Sequence, residues 1–178
     1  MKMKTFTIKE TKQKTSEILA EMKSLFPVWS YYDDERLDKD FPPPKEITTR
    51  EFSYSIEPTE LGKSAKEGDP NMTGISLRER LLMEIIYYKE TGKHLDIDGW
   101  TICSGSRSLD GCVPNVYFAP GHDKVNVDWY HVDGSGPKVG LRHCLQNNSN
   151  SVELDNEKDK DKKGFSITCE RCGHSVSI

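Results

Sequence analysis

The sequence has few cysteines, no long apolar run and no large excess of either charge, and each of these deficits excludes a class of protein. Its five cysteines are an odd number, so they cannot all pair in disulfides. Because no apolar segment follows the basic first residues, we expect no export signal, and therefore reduced thiols or metal ligands instead of a disulfide framework. Since no stretch approaches about 20 apolar residues, we expect no membrane span and a cytoplasmic location.

The charge balance limits the choice of partner. The chain has 25 basic and 29 acidic residues, which is a formal net charge of −4. This charge supplies no general attraction to nucleic acid, although a local basic patch would supply one. We therefore expect a protein partner in preference to nucleic acid. Hydrophobic residues make up 34% of the 178 residues, enough for one domain with its own core.

Two segments have the periodicity of amphipathic helices. The first begins at Thr7, with Glu10 at capping-box spacing, and ends before Pro27, because a residue that precedes proline is disfavoured in a helix. The second is SLRERLLMEIIYYKETG, residues 76–92, which begins with another capping box and ends at Gly92, where a left-handed residue is favoured. Its wide apolar face predicts the main helix packed on a sheet.

Alternating apolar and polar residues predict the strands. They occupy, in chain order, residues 51–56, 100–103, 113–119, 124–132 and 138–145. Pro114 indicates an edge strand or the start of a strand, since proline has no N–H to donate. Because short turns join the later strands, we expect an antiparallel meander.

The fold class predicted from these elements is α+β. Two amphipathic helices pack on a mainly antiparallel sheet in a core domain of residues 1–145. Residues 146–164 are a flexible charged loop, since their composition cannot bury enough apolar surface to offset the entropy of ordering. Residues 165–178 form a C-terminal hairpin that we expect to pack on the core.

The last 14 residues, FSITCERCGHSVSI, contain a candidate metal site. A tight turn brings Cys169 and Cys172 to one side, as zinc requires at Zn–S distances of about 2.3 Å. Gly173 lets the chain turn so that backbone amides point at the sulfurs. This CxxCG unit resembles one knuckle of a zinc ribbon, and the resemblance implies a structural zinc ion in a zinc-ribbon-like β-hairpin.

The other half of the zinc site is less defined, because the sequence lacks the second CxxC of a zinc ribbon. We predict Cys144 and His174 as the remaining ligands. His143 is an alternative to His174, although neighbours in a strand point to opposite faces. A second possibility is the pair Cys103 and Cys112, which bracket SGSRSLDG. Unliganded thiols and a redox CxxC are the other interpretations.

A short polar loop is the candidate catalytic or anion-binding segment. In SGSR, residues 104–107, small residues expose backbone amides, hydroxyls add donors, and arginine can bind an anion with two N–H groups. The loop lacks the P-loop pattern and also fits an ordinary polar turn. The candidate catalytic residues are Ser104, Arg107, His122 and His131, with Asp128 on a neighbouring strand.

Three functions fit these features. The first is a small soluble binding or adaptor protein whose zinc is structural. The alternative is a hydrolase or transferase that acts on an anionic substrate through the Ser104–Arg107 loop with His122 or His131. A third is a subunit of an assembly. Its interface would be a sheet edge or an aromatic segment that otherwise covers that edge, namely Trp29, Tyr31, Tyr32 and Phe41.

Metal analysis of the purified protein tests the zinc site. We expect about one equivalent of zinc in the wild type and none in Cys169→Ser, because one ion takes all the ligands of a structural site. The variant also loses stability, since the binding of structural zinc is itself folding energy for so small a hairpin. Absence of zinc from both samples would contradict the prediction.

Overall fold

The computed structural model describes residues 4–145, 166–168 and 175–177. They belong to two units of the chain, Met1–Gln146 and Asn147–Ile178. In the second unit, strands β9 (Ser166–Thr168) and β10 (Ser175–Ser177) pair antiparallel, and the numbering of the strands follows the whole chain.

Helices and strands of the first unit confirm the mixed α+β class. Its described helices are α1 (Thr15–Leu25), α2 (Asp34–Asp40), α3 (Ala65–Gly68) and α4 (Leu77–Thr91). Its described strands are β1 (Thr5–Lys9), β2 (Val28–Ser30), β3 (Thr49–Ser53), β4 (Glu60–Leu61), β5 (Trp100–Ile102), β6 (Val113–Ala119), β7 (Lys124–Tyr130) and β8 (Val139–Leu141). The sequence predicted only α1 and α4. The short α2 and α3 begin where the side chains of Asp33 and Ser64 accept a backbone N–H.

The six-stranded sheet has the order β2-β7-β6-β5-β8-β4. Three of its pairings are antiparallel, while β2–β7 and β5–β8 run parallel, so a mainly antiparallel sheet is confirmed. The predicted meander is correct for β5, β6 and β7 but wrong for β8, which lies beside β5 instead of β7. There, Val139 and Leu141 join Ile102 and Val113 in one buried cluster. The turn residues in the sequence do not indicate beside which strand β8 would be buried.

Pro114 lies near the start of β6 and not at the edge of the sheet. β6 runs between β5 and β7, so the edge interpretation is wrong. The pairing of β6 with β5 ends at Asn115, which is opposite Ile102. Proline is therefore tolerated as an early residue of this central strand, because Pro114 lies just outside the β5–β6 pairing that would need its N–H.

The first helix begins later than the sequence predicted. The segment around Thr7 is strand β1, which pairs with β3, so the capping box of Thr7 and Glu10 is wrong. Instead, the carboxylate of Glu17 accepts the backbone N–H of Lys14 at 2.9 Å, just before α1. The helix ends before Pro27, as predicted. Alternate residues of β1 are buried, as in a half-buried strand. Because β1 has only five residues, this period-two pattern was too short in the sequence to be distinguished from the start of the helix.

Helix α4 packs on both sides. One side joins α1 and the sheet in the main core, and the other packs on β1 and β3. Its predicted capping box at Ser76 and its left-handed Gly92, with φ of 67°, are both confirmed. The two apolar contacts come from Leu77, Leu81 and Ile85 on one side and Met83 and Tyr87 on the other. Because β1 and β3 cover the second side, charged residues of α4 are buried as well.

A buried ion network crosses the interior of the first unit. Arg80 of α4 donates from Nη1 to Glu84 at 2.7 Å, and from Nε and Nη2 to Asp96 at 3.0 and 2.8 Å. Asp96 also accepts hydrogen bonds from Thr101 and Arg142. All five residues are 2% exposed or less. Because a buried charge is tolerated only with partners, the network ties α4 to β5 and to the chain after β8.

We predict that Asp96→Asn lowers the free energy of unfolding by about 3 kcal/mol, because it leaves buried arginines without their shared carboxylate. Asparagine tolerates the left-handed backbone at this position, where φ is 54°, so the change isolates the charge. Urea unfolding measures the effect. The matched control Asp98→Asn, on the exposed side of the same loop, changes it by less than about 0.5 kcal/mol. Equal stability of the two variants would contradict the prediction.

Candidate functional site

A cleft of about 330 Å³ opens at the start of α4. We call it the α4 cleft. Its walls are the start of α4, the segment from α2 to β3, and the loop after β5. The charged residues that line it are three arginines and three carboxylates, namely Arg50, Arg78, Arg107, Glu10, Asp40 and Glu79. Phe41, Pro42 and Pro44 add an apolar surface. Charged groups of both signs therefore meet in one partly enclosed space.

The loop after β5 forms one wall because it packs closely on the chain before α4. The backbone N–H of Gly105 donates to the carbonyl of Ile75 at 3.0 Å. A Cβ atom at position 105 would lie 2.3 Å from the carbonyl oxygen of Gly74, so only glycine fits. The hydroxyl of Ser106 then accepts the N–H of Leu77, the first residue of α4, at 2.9 Å.

Asp69 binds the same loop through Ser104, which does not line the cleft. Its carboxylate accepts the Ser104 hydroxyl at 2.8 Å and the backbone N–H groups of Thr73 and Gly74. Burial raises the pKa of Asp69, but these donors and the Thr73 hydroxyl outweigh it and lower the pKa below its ordinary value. Ser104 is fully buried. Its hydroxyl is therefore a structural donor to Asp69 and does not line the α4 cleft.

Arg78 has an acceptor at each of its three guanidinium nitrogens. Its Nε donates to Glu10 at 3.1 Å, Nη1 donates to the carbonyl of Gln13 and the hydroxyl of Thr15, and Nη2 donates to the carbonyl of Thr11. Because each nitrogen of the guanidinium already has an acceptor, Arg78 ties the β1–α1 connection to α4. It contributes a wall to the cleft, and four of its five N–H groups already donate to the protein.

Arg50 and Glu79 form a looser pair. The Nη2 of Arg50 donates to the carbonyls of Thr73 and Gly74, and its Nε lies 3.4 Å from Glu79 Oε1. This Nε is buried and has no hydrogen-bond partner among the described residues. Burial raises the pKa of Glu79, and the N–H of Ser76 and the charge of Arg50 partly oppose this shift. The first turn of α4 therefore presents a carboxyl group with an elevated pKa to the cleft.

Arg107 differs from the other two arginines. Its Nη1 donates to the backbone carbonyls of Ser104 and Ser106, at 3.0 and 2.8 Å. Within residues 4–145, its Nε and Nη2 have no acceptor, and no carboxylate lies within ion-pair distance. Burial lowers the pKa of the half-buried guanidinium, and the charge of Asp69 opposes this effect. Among the lining arginines, Arg107 thus combines unused N–H groups with the lack of a carboxylate partner in residues 4–145, whereas Arg50 is paired with Glu79.

The other predicted catalytic residues lie elsewhere. His122 is exposed in the 3₁₀ turn that follows β6, and His131 is exposed just after β7, with its ring 5.1 Å from that of Trp129. Asp128 is half-buried within β7. None of these three residues lines the α4 cleft. Arg107 is the only one of the predicted catalytic candidates that lines the cleft. Its neighbours Gly105 and Ser106 line the cleft as well.

The described cysteines occupy different surroundings. Cys103 is fully buried in the main core, and burial raises its pKa. Burial and Asp110 also raise the pKa of Cys112, which is partly exposed in the loop that precedes β6. Cys144 pairs with Phe52 in an isolated bridge, and the adjacent His143 pairs with Gly74. The predicted zinc ligands Cys169, Cys172 and His174 lie outside the described residues.

In the described part of the chain, no three histidine, cysteine, aspartate or glutamate side chains are grouped as metal ligands would be. The residues of the aromatic segment, predicted as an interface or as the cover of a sheet edge, differ in their exposure. Tyr32 and Phe41 are buried with their rings 5.3 Å apart, whereas Trp29 and Tyr31 are more than 40% exposed. The ring centroid of Tyr31 lies 6.1 Å from that of Trp129, which is exposed on β7.

Sequence reasoning missed Arg50, Arg78 and Glu10 as parts of the site, and it considered Glu79 only as a helix cap. One signal was available. Three consecutive charged residues, Arg78, Glu79 and Arg80, spread around the first turn of α4 between apolar neighbours, which leaves no purely polar face for solvent at the start of the helix. A helix with that pattern must bury some of its charges against partners, although the sequence does not identify those partners.

Comparisons of the chain with protein-family models, with curated proteins and with solved structures find no match. Among the described helices, none combines the length and the apolarity that crossing a bilayer requires. The function is therefore inferred from the geometry of the α4 cleft.

We predict that Gly105→Ala destabilises the protein by about 1–3 kcal/mol, because the new methyl group overlaps the backbone carbonyl of Gly74. NMR spectra should show displaced amide signals for Ser106 and Leu77, whose hydrogen bond depends on the loop position. Gly121→Ala is the matched control, since no atom lies within 4 Å of its added Cβ. A wild-type unfolding midpoint for Gly105→Ala would show that the loop does not need this close approach.

Proposed function

We propose that this protein binds a small anionic ligand in the α4 cleft, with Arg107 as the principal contact. The observation that carries the proposal is the hydrogen bonding of Arg107. Its Nη1 is used by two backbone carbonyls, and its Nε and Nη2 have no acceptor within residues 4–145. A half-buried guanidinium gains most from an acceptor that carries charge, and a carboxylate or phosphate fits two adjacent N–H groups.

Ser106 supports the same anion. Its Oγ accepts the N–H of Leu77, which leaves the hydroxyl hydrogen to donate, and Ser106 lines the cleft beside Arg107. The dipole of α4 adds a modest attraction at its first turn. The hydroxyls of Ser76 and Ser106 already take the N–H groups of Glu79 and Leu77, so the helix end supplies few free donors.

The size and lining of the cleft fit a small molecule. Its volume of about 330 Å³ is near the lower end of the 300–1,000 Å³ range for ligand pockets. Phe41, Pro42 and Pro44 offer an apolar wall to the part of the ligand that carries no charge. The small volume favours a metabolite-sized ligand over a long peptide.

Binding is favoured over group transfer. Ser104, the nucleophile that a hydrolase or transferase would use, is buried as a donor to Asp69. His122 and His131 do not line the cleft and so are not placed to activate a nucleophile there. We therefore propose binding of an anionic small molecule at the α4 cleft, a ligand that differs from the protein partner expected from the sequence.

Structural zinc at Cys169 and Cys172 is a separate proposal. It is supported by the register of β9 and β10, in which Thr168 pairs with Ser175, since Cys169 and Cys172 lie between these two residues in the sequence. The sequence predicts Cys144 and His174 as the further ligands. Metal analysis can be extended from Cys169→Ser to Cys144→Ser, which should lose zinc, and to Cys112→Ser, which should keep it.

Titration with sodium phosphate and with sodium acetate, followed by NMR of the backbone amides, tests the anion site. We expect one of these anions to shift the signals of residues 105–107, and Arg107→Gln to weaken that binding at least about tenfold, since hydrogen bonds to charged groups contribute roughly 1.5–3 kcal/mol. Arg107→Lys keeps the charge but lacks the planar pair of donors, so its affinity should be intermediate.

The matched control is Lys93→Gln, which removes one exposed positive charge away from the cleft and should bind as the wild type does. Equal binding by wild type and Arg107→Gln, or unchanged signals at residues 105–107 with both anions, would overturn the proposal.

A further inference from the structure

The three carboxylates of the α4 cleft each keep one oxygen without a hydrogen bond. Glu10 uses Oε2 for Arg78 and the N–H of Thr11, and Glu79 uses Oε2 for the N–H of Ser76. Asp40 accepts only long hydrogen bonds of 3.4 Å, all at Oδ2. In residues 4–145, the only ion pair of the remaining oxygens is that of Glu79 Oε1 with Arg50, at 3.4 Å.

These oxygens belong to side chains that are almost inaccessible. The side chains of Glu10, Asp40 and Glu79 are 7%, 3% and 4% exposed. An ionised carboxylate can accept about four hydrogen bonds, and burying it with fewer partners costs free energy. Each of the three carboxylates lines the cleft. A ligand that brings hydrogen-bond donors into this space would therefore satisfy acceptors that the protein leaves unused.

The carboxylates also influence one another. Burial raises the pKa of Glu79, and the negative charge of Glu10 raises it further, so the two groups are close enough to repel. In the described residues, the three carboxylates do not form a cluster that could hold a metal ion. The cation that would relieve their repulsion is therefore better supplied by an organic group with several N–H donors.

The balance of charge excludes a simple dianion as the best ligand. Arg78 pairs with Glu10, Arg50 with Glu79, and Asp40 with Arg36, which lies outside the cleft lining. Arg107 is then the only described lining arginine without a carboxylate partner. A phosphate dianion would gain from Arg107 and be repelled by the neighbouring carboxylates, whereas a ligand with one negative and one positive group matches both.

We propose that the ligand of the α4 cleft is a zwitterion of the amino-acid or dipeptide class. Its carboxylate binds Arg107 and Ser106, and its ammonium group donates hydrogen bonds to Glu10 and Glu79. Asp40 accepts a further hydrogen bond from the ligand. This inference rests on the proposed anion-binding function and adds the second recognition group, which sets the ligand class.

Calorimetry with three matched probes tests the inference. Glycylglycine carries both charged groups, N-acetylglycylglycine lacks the ammonium group, and glycylglycinamide lacks the carboxylate. We expect glycylglycine to bind at least about tenfold more tightly than either of the others, because each of those two omits one charge-assisted hydrogen bond.

Two variants assign the recognition groups. Glu79→Gln keeps a capping-box residue in α4, so the helix start is retained while the charge is removed. It should lower the preference for glycylglycine over its acetylated form at least about threefold, since the ammonium group keeps Glu10 but meets a neutral amide instead of the carboxylate of Glu79. The matched control Glu17→Gln removes the equivalent residue of α1, which is exposed and outside the cleft, and should leave the preference unchanged.

The outcomes separate the two proposals. If acetate and both carboxylate probes bind through Arg107 with equal affinity, the anion site stands and the zwitterion inference is wrong. If glycylglycine keeps its full preference in Glu79→Gln, the assignment of the ammonium group to Glu79 is wrong. If no probe binds in a manner that depends on Arg107, both proposals fail.

Discussion

The carboxylate of Asp96 is the charge on which the interior of the first unit depends. It accepts hydrogen bonds from Arg80 of α4, from Thr101 of β5 and from Arg142, which follows β8. Both arginines are almost inaccessible, and Glu84 is the other carboxylate that balances them. Because uncompensated charge is so costly in an interior, this network fixes how α4 lies against the sheet. The left-handed backbone of Asp96 presents its side chain to all three partners.

The position of α4 determines the cleft. Arg80 holds the start of α4, and the chain just before this helix packs against the loop after β5, where Gly105 permits backbone contact. The resulting cleft contains arginines with different roles. Arg78 has an acceptor at every nitrogen and serves the fold, while Nε and Nη2 of Arg107 have no acceptor within residues 4–145. Residue type alone does not distinguish them, because the difference is in the partners that the fold supplies.

The fold was predictable where the signals were local. The α+β class, the extent of α4 with its caps at Ser76 and Gly92, and the antiparallel run of β5 to β7 follow from periodicity and capping chemistry. The errors involve contacts between distant residues. β1 was missed because its partner is β3, more than 40 residues along the chain, and β8 was misplaced because its burial depends on β5. Propensity cannot identify such partners.

The same distinction between local signals and contacts of distant residues applies to the site. The sequence by itself predicted that residues 104–107 form a polar loop after a strand and that a capping box begins α4, and it indicated Arg107 as a candidate anion contact. Only the tertiary structure decided that these residues share a cleft with Arg50 and Glu10, and that Ser104 faces away from it. The physical reason is that local patterns specify hydrogen bonds within a few residues. The pairing and burial of charges depend on segments that meet only when the chain has folded.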